Sequence, residues 1–236
     1  MPNPYFRFKQ FAIFQDRCAM KVGTDGVLLG AWTDTTGADQ ILDIGTGTGL
    51  VALMLAQRSR AHIDAVELDE DACIQARENV MRSPFSTRIS VYQCSIQDYA
   101  ATSSQRYDLI VSNPPFFDNA YKALHKARNL ARHSDRLDKV DLLQSAQQLL
   151  SENGRLAVIY PTEEAQILHQ KAEAFGFFCH RKLYVKPTLN SPIKRVIMEL
   201  GKHQSEYQET SLTIEADRRI YTPEFIALIK DFYLKY

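Results

Sequence analysis

A glycine loop early in the chain has the residue types of a site for a nucleotide-like ligand. Gly45, Gly47 and Gly49 follow a short apolar run and precede a helical pattern, which is the context that such a loop needs. The dinucleotide fingerprint is GxGxxG, but the spacing here is GxGxG, and Asp43 stands just before it. A carboxylate at that point would repel a pyrophosphate. It would suit an ammonium group, which S-adenosylmethionine (SAM) carries on its methionine part, and we therefore predict SAM as the cofactor.

Acids after the next two strands are candidates for the rest of the same ligand. Glu67 stands where a carboxylate can accept from both ribose hydroxyls, a role that acids also have in NAD sites, and Leu68 beside it joins the cofactor-binding candidates. Glu67 therefore fits SAM and NAD alike, whereas Asp43 and the glycine spacing favour SAM. Asp98 is a candidate acceptor for the adenine amine of SAM, with an ordinary surface acid as the alternative.

A second loop has residues that suit the substrate of a methyl transfer. Asn113, Pro114, Pro115, Phe116 and Phe117 follow an apolar strand, and ligands of open α/β sheets bind beyond the carboxyl ends of the strands. An aromatic exocyclic amine is a poor nucleophile because its lone pair is delocalised into the ring. The Asn113 side-chain oxygen and the Pro114 carbonyl can accept from its two N–H groups and favour a pyramidal nitrogen. Phe116 can stack on the base, which contributes roughly 1–3 kcal/mol, while Pro115 and Phe117 complete a rigid apolar ledge.

Catalysis at such a loop rests on positioning and electrostatics. No strong general base is needed, because the methylated amine becomes acidic and loses its proton to water. The alternatives are a plain Asn-Pro turn, an NAD-dependent oxidoreductase, and a catalytically inactive RNA-binding module. Asp43 argues against the oxidoreductase, and the intact loop from Asn113 to Phe116 argues against the inactive module.

Short apolar runs alternate with helical patterns from residue 40 onward, which is typical of a parallel sheet covered on both faces. We predict a doubly wound, Rossmann-like α/β fold, with a mostly parallel seven-stranded sheet and an antiparallel closing pair of strands. The predicted strands are 41–44, 63–67, 88–93, 107–112, 155–160, 178–185 and 194–200, and the predicted helices are 50–57, 71–81, 140–150, 163–175 and 223–233. We expect one methyltransferase domain, with an N-terminal extension (1–38), a SAM-binding core (39–202) and a strand and helix tail (203–236), both ends packing on the core.

The overall composition is that of a globular protein. The 236 residues are 45% hydrophobic, and 28 basic residues balance 28 acidic ones, which disfavours an indiscriminate polyanion binder but allows a local basic face. The four cysteines are scattered, which predicts free thiols and no metal site. No apolar run approaches the roughly 20 residues that cross a bilayer, and the N-terminus has no signal-peptide pattern. We expect a cytoplasmic protein without a membrane partner, and a monomer is favoured, although the sequence does not give the oligomeric state.

Four segments resemble known enzymes. The Asn-Pro-Pro-Phe loop together with the GxGxG loop resembles the amino-methyltransferases of adenine. The runs 20–32 and 191–195 are similar to the bacterial valine-tRNA adenine-N(6)-methyltransferase family, and the likeness covers essentially the whole chain. It implies methylation of the adenine 3′ of the anticodon in a valine tRNA. It also implies that three residues lie beside the methionine end of SAM: Lys21, Thr24 and Asp25.

Because the resemblance implies an RNA substrate, basic residues become candidates for phosphate contacts. Bases concentrate directly after the second loop, where they would surround the mouth of the pocket. The candidates are Lys122, Lys126, Arg128, Arg132, Arg136, Lys194 and Arg195. A solvated loop and helix face is the alternative. Other substrates also stay open: adenine in ribosomal RNA or DNA, or glutamine in a release factor, whose enzymes use a similar loop that normally has Tyr in place of Phe116.

Overall fold

A mixed sheet of nine strands forms the centre of the part of the chain that the structure describes. The structure, a computed structural model, describes residues 3–18, 20–115 and 137–236. Its strands are β1 (Tyr5–Arg7), β2 (Ala12–Phe14), β3 (Gln40–Ile44), β4 (His62–Glu67), β5 (Ile89–Gln93), β6 (Tyr107–Ser112), β7 (Leu150–Pro161), β8 (Phe178–Thr188), β9 (Arg195–Gly201), β10 (Gln208–Asp217) and β11 (Ile220–Tyr221). The central sheet has the order β11-β10-β8-β9-β7-β6-β3-β4-β5, and β1 pairs with β2 in a separate ribbon.

The seven predicted strands are β3 to β9, and they are neighbours in this sheet. Strands β3 to β7 are parallel to one another, whereas β9 runs antiparallel to both β7 and β8. The predicted antiparallel closing pair is therefore confirmed. Two strands of the C-terminal tail extend the sheet beyond the predicted seven: β10 runs parallel to β8, and β11 turns back antiparallel to β10. Most of β10 is exposed or half-buried, so no apolar run marks it in the sequence.

Helices cover both faces of the sheet. Those in the described residues are α1 (Thr24–Trp32), α2 (Leu50–Arg58), α3 (Glu70–Met81), α4 (Ile96–Thr102), α5 (Lys139–Leu149), α6 (Thr162–Ala174) and α7 (Pro223–Ile229). Ile41 and Leu109 belong to one buried apolar cluster, with residues of α1, α2 and α7. Their chain neighbours Leu42 and Ile110 belong to a second cluster, with residues of α4, α5 and α6. Successive side chains of a strand point to opposite faces, so the two clusters are the two covered faces of a doubly wound fold.

Helix α1 lies in the part of the N-terminal extension for which no helix was predicted from the sequence. Val27, Leu28 and Leu29 in it are fully buried. A helix that is apolar all round has no amphipathic period, which is why the pattern did not indicate it. Helix α1 packs on α2 closely, since a Cβ on Gly30 would stand 2.9 Å from the Met54 Cβ.

The C-terminal helix begins at a side-chain cap and reaches the N-terminal ribbon. The Thr222 hydroxyl accepts from Phe225 N at 3.2 Å, which satisfies an N–H group of the first turn of α7. Helix α7 ends at Ile229, four residues before the predicted end at 233. Beyond it, the Phe232 carbonyl accepts from Lys9 N at 2.7 Å, so the two ends of the chain are joined.

Candidate active site

The glycine loop and the Asn113 loop meet at the carboxyl ends of β3 and β6. These strands are neighbours in the sheet, and the buried Ser112 hydroxyl donates to the Ile44 carbonyl at 2.9 Å. Ile44 directly precedes Gly45, and Ser112 directly precedes Asn113. This hydrogen bond therefore fixes the two loops side by side.

A cavity of about 690 Å³ opens at this edge of the sheet, a volume typical of small-molecule and cofactor sites. It is bounded by the start of α1, the glycine loop, Asn113 and the ends of β8, β9 and β10. The predicted site residues that line it are Lys21, Thr24, Asp25, Asp43, Gly45, Gly47, Asn113, Lys194 and Arg195. The predicted residues outside its walls are Gly49, Glu67, Leu68, Asp98, Pro114 and Pro115.

All three glycines of the loop have a positive φ, of 71° at Gly45, 57° at Gly47 and 82° at Gly49. A Cβ on Gly45 or Gly47 would meet nothing within 4 Å. The backbone conformation therefore requires glycine there, and the space beside the loop is open to a ligand. Gly49 differs, because it caps α2 and a Cβ on it would stand 3.6 Å from the Ala76 Cβ. That distance is an ordinary van der Waals contact, so the left-handed backbone rather than the packing favours glycine at position 49. The contact of Gly49 with the cofactor stays a prediction.

Asp43 is nearly fully buried, with 1% of its surface exposed, yet it borders the cavity. Its Oδ2 accepts from Thr46 Oγ1 at 2.6 Å and from Ala52 N at 3.1 Å, and no hydrogen bond between described residues uses Oδ1. Burial is the main cause that raises the pKa of Asp43 from 3.8 to about 7, and the charge of Glu67 acts in the same direction. A cationic group of a ligand would stabilise the ionised form, so Asp43 fits the ammonium of SAM.

Glu67 supports the glycine loop from the end of β4. Its Oε2 accepts from Gly47 N at 2.8 Å, and its Oε1 accepts from Asp69 N at 2.9 Å. These two bonds hold the Glu67 carboxylate next to Gly47, which borders the cavity. The predicted bonds from Glu67 to the ribose stay a prediction, as does the contact of Leu68, which is 43% exposed.

Asp98 has a local role at the start of α4. Ser95 Oγ accepts from Asp98 N at 3.0 Å and donates to Asp98 Oδ2 at 2.7 Å. The Ser95 hydroxyl therefore caps the first turn of α4, and the Asp98 carboxylate accepts from that same hydroxyl. The structure thus gives this acid a structural partner, and its bond to the adenine of SAM stays a prediction.

The segment before α1 closes one side of the cavity. Lys21 Nζ donates to the carbonyls of Gln15 and Cys18, so the lysine holds this segment together. Thr24 is the first residue of α1. Asp25 follows it, and its Oδ2 accepts from Arg195 Nε at 2.8 Å. This ion pair joins the start of α1 to the start of β9 across the cavity mouth.

Asn113 is half-buried and borders the cavity where α1 approaches β6. A Cβ on Gly26 of α1 would stand 3.7 Å from the Asn113 Nδ2, an ordinary contact distance, so the start of α1 lies close beside the amide. Pro114 is buried and Pro115 is exposed. The pair of prolines lacks two backbone N–H groups and fixes φ at both positions, which restricts the direction of the carbonyls.

Seven predicted residues lie outside the described residues. They are Phe116, Phe117, Lys122, Lys126, Arg128, Arg132 and Arg136.

The structure also shows a residue, Asn79, that supports the glycine loop and that the sequence patterns did not indicate. Asn79 of α3, fully buried, donates from Nδ2 to the carbonyls of Phe14 and Thr48 at 2.8 and 2.9 Å. Its Oδ1 accepts from Phe14 N at 2.9 Å. Asn79 therefore links the N-terminal ribbon to the glycine loop. A buried asparagine on a helix is a signal in principle, but burial has no mark in a single sequence.

Comparisons with known proteins agree with this geometry. Residues 20–182 match the family model described as methyltransferase small domain. The whole chain is 62% identical, over 239 aligned residues and 100% of both chains, to a protein of Trichodesmium erythraeum named tRNA1(Val) (adenine(37)-N6)-methyltransferase. The chain belongs to this family. Among solved structures, a predicted O-methyltransferase from Agrobacterium tumefaciens has the same fold, with a TM-score of 0.65, 17% identity and coverage of 88% of this chain and 96% of that one.

A second solved structure shares the fold of this tRNA1(Val) methyltransferase family member. It is the glycopeptide N-methyltransferase MtfA, complexed with SAM, with a TM-score of 0.56, 13% identity and coverage of 78% of this chain and 100% of that one. Within the described ranges, no group of His, Cys, Asp and Glu residues could hold a metal ion. None of the described helices is long and apolar enough to cross a membrane.

Proposed function

We infer that the chain transfers a methyl group from SAM to the N6 amine of an adenine in tRNA. The observation that carries this is the position of Asn113, which borders the same cavity as Asp43 and the glycine loop. An acceptor for an amine therefore stands beside the groups that suit the methyl donor. The relatives are named for adenine 37 of tRNA1(Val), and we propose this nucleotide as the substrate.

The residues around the cavity fit SAM. Asp43 suits the ammonium, the open space beside Gly45 and Gly47 suits close approach of the ligand, and Glu67 is held at the end of β4 where a ribose acceptor is expected. SAM, when bound, supplies an electrophilic methyl group on a positively charged sulfur.

The protein's own part in the reaction is to hold the amine. The Asn113 side-chain oxygen and the Pro114 carbonyl accept from the two N–H groups, which draws the lone pair out of the ring and towards the methyl group. The Ser112–Ile44 hydrogen bond fixes the backbone next to Asn113 before the substrate arrives, and such preorganisation is where most of the rate enhancement of this kind of site resides. The proton of the methylated amine passes to water.

Methyl transfer by purified protein tests this function directly. We expect transfer to tRNA1(Val), and not to ribosomal RNA or to a release factor, with the product mapped to one adenine. Asn113→Ala is expected to lower kcat on the order of 10²–10³-fold and to change KM little, because the lost acceptor acts in the transition state. Asn113→Asp keeps an acceptor and is expected to retain part of the activity.

The matched control is Asn153→Ala, an exposed asparagine near the amino end of β7, at the opposite edge of the sheet. It is expected to leave the rate unchanged. If folded Asn113→Ala transfers methyl groups at the wild-type rate, the loop is only a turn and the assignment of its role fails. We also propose that the protein acts as a monomer in the cytoplasm, where tRNA is modified; light scattering during gel filtration tests the oligomeric state.

A further inference from the structure

We propose that the turn between β10 and β11 docks the phosphate backbone of the RNA, outside the nucleotide that enters the cavity. We call residues 217–220 the arginine turn, because Arg218 and Arg219 form its tip. The proposal rests on the proposed function, since it concerns how the same substrate is held.

The arginine turn lies at the same edge of the sheet as the cavity. Strand β10 runs parallel to β8, with Leu212 opposite Val185 and Glu215 opposite Thr188, so the carboxyl ends of both strands point the same way. Val185 on β8 and Ile214 on β10 both line the cavity. The turn follows Ile214 by four to five residues, which corresponds to roughly 13–17 Å of extended strand. An RNA with one base in the cavity has its neighbouring phosphates within such a distance.

The two guanidinium groups are available to a partner. Arg218 and Arg219 are both exposed, and neither forms an ion pair with any residue that the structure describes. Arg155 and Arg181 show the contrast, because both are paired with the buried Glu199 at 3.5 and 2.8 Å. The neighbouring Asp217 uses its Oδ1 to accept from Arg218 N at 2.6 Å, which fixes the turn.

Arg219 occupies a backbone conformation that arginine rarely adopts. Arg219 has a φ of 63°, in the left-handed region, where glycine or asparagine is the usual residue of a hairpin turn. An arginine there is disfavoured by its Cβ. The conformation of the turn therefore gives no reason for an arginine at this position.

Phosphate is the chemistry that fits this turn. Arginine presents several N–H donors in a fork that matches phosphate oxygens, and it stays charged at all physiological pH values. The exposed Lys194 also borders the cavity and adds a positive charge at the same edge of the sheet. Ile220, which is 59% exposed, gives the turn an apolar side that a ribose or base can cover.

The test compares RNA binding by wild type and by Arg218→Gln combined with Arg219→Asn. Asparagine tolerates the left-handed conformation, so this variant removes both charges and keeps the turn. Loss of two phosphate contacts lowers the slope of log affinity against log salt by about 1.4, which is about 0.7 for each contact with a single strand. This predicts roughly ten-fold weaker tRNA binding at 0.15 M salt. SAM affinity and kcat at saturating tRNA are expected to stay at their wild-type values.

The matched control is Arg60→Gln combined with Arg106→Gln, two exposed arginines just before β4 and β6, at the opposite edge of the sheet. It removes the same net charge and is expected to leave tRNA affinity and its salt slope unchanged. Methylation of the same tRNA by the wild-type protein, measured alongside, distinguishes failure of the docking proposal from failure of the proposed methyltransferase function. If wild type methylates tRNA while the double variant at 218 and 219 binds with wild-type affinity and slope, the docking surface is wrong and the proposed function stands. Arg218→Gln alone, with about half the change in slope, gives the answer should the double variant unfold.

Discussion

We predict that Asp43 makes SAM binding depend on pH in the neutral range. Its burial beside the cavity raises its pKa to about 7 in the free protein. An ammonium group next to it stabilises the carboxylate, so the complex keeps Asp43 ionised. Binding therefore releases a proton from every molecule in which Asp43 was protonated, and the apparent affinity for SAM falls as the pH falls below 7.

The size of the effect follows from the ionised fraction of Asp43. With a pKa of about 7, roughly half of the free protein is ionised at pH 7 and about one molecule in eleven at pH 6. The affinity for SAM is thus expected to fall about five-fold between pH 7 and pH 6, and the loss approaches about ten-fold for each further pH unit. Binding releases about half a proton at pH 7 and about 0.9 of a proton at pH 6.

Calorimetry in two buffers with different ionisation enthalpies measures both the affinity and the released protons. Asp43→Asn is the control, because its amide cannot titrate. It is expected to bind SAM weakly at every pH, with no proton release. A wild-type affinity that stays flat from pH 6 to pH 7, without proton release, would show that Asp43 does not meet the ammonium.

The same pKa determines how the stability of the free protein changes with pH. The folded protein binds a proton at Asp43 more tightly than the unfolded chain, whose ordinary value is 3.8. The protonated form thus stabilises the fold below about pH 4, and this contribution is lost as the pH rises through 7. The loss is on the order of 4 kcal/mol, at about 1.4 kcal/mol for each unit of pKa difference. Free Asp43→Asn is therefore expected to melt at a higher temperature than wild type above pH 7.

Three further substitutions test the supports of the site. Glu67→Ala removes a carboxylate that holds the glycine loop, so SAM affinity should fall roughly 10–100-fold; an unchanged affinity in calorimetry would remove Glu67 from the ribose site. Arg195→Gln breaks the partly exposed ion pair with Asp25. The stability measured in thermal melts should therefore fall by at most about 1 kcal/mol, while SAM affinity falls. A loss of stability with unchanged SAM affinity would make the ion pair purely structural. Asn79→Ala loses three hydrogen bonds, one buried and two partly buried, and scanning calorimetry should show a loss of stability on the order of 3 kcal/mol; a melting temperature equal to that of wild type would contradict this role.

The sequence indicated the parts of the fold whose information is local. The strands β3 to β7 are apolar runs because both of their faces are buried, and the glycine loop is marked by residues that its positive φ angles require. Helix α1 and strand β10 could not be found in this way. The first is apolar on every side, and the second is exposed along most of its length, so neither has the alternation on which such predictions depend.

The site was predicted best where one short segment supplies several groups. Asp43, Gly45 and Gly47 lie within five positions of one another, and all three border the cavity. The ion pair between Asp25 and Arg195 joins residues 170 positions apart, and only the folded sheet brings them together. The resemblance to the family marked both segments as important, but it did not indicate that they meet.

The strand order separates the functions along one edge of the sheet. The predicted cofactor residues Asp43 and Glu67 lie in β3 and at the end of β4, the proposed amine acceptor Asn113 follows β6, and the arginine turn follows β10. Neighbouring strands lie about 4.8 Å apart, so the five steps from β3 to β10 span about 24 Å. A ladder of hydrogen bonds sets this distance, and an RNA bound as we propose would have to span it. Because the arginine turn lies five strands from β3, and phosphate contacts carry no sequence information, we expect substitutions in the turn to change how tightly RNA binds without moving Asn113 relative to Asp43.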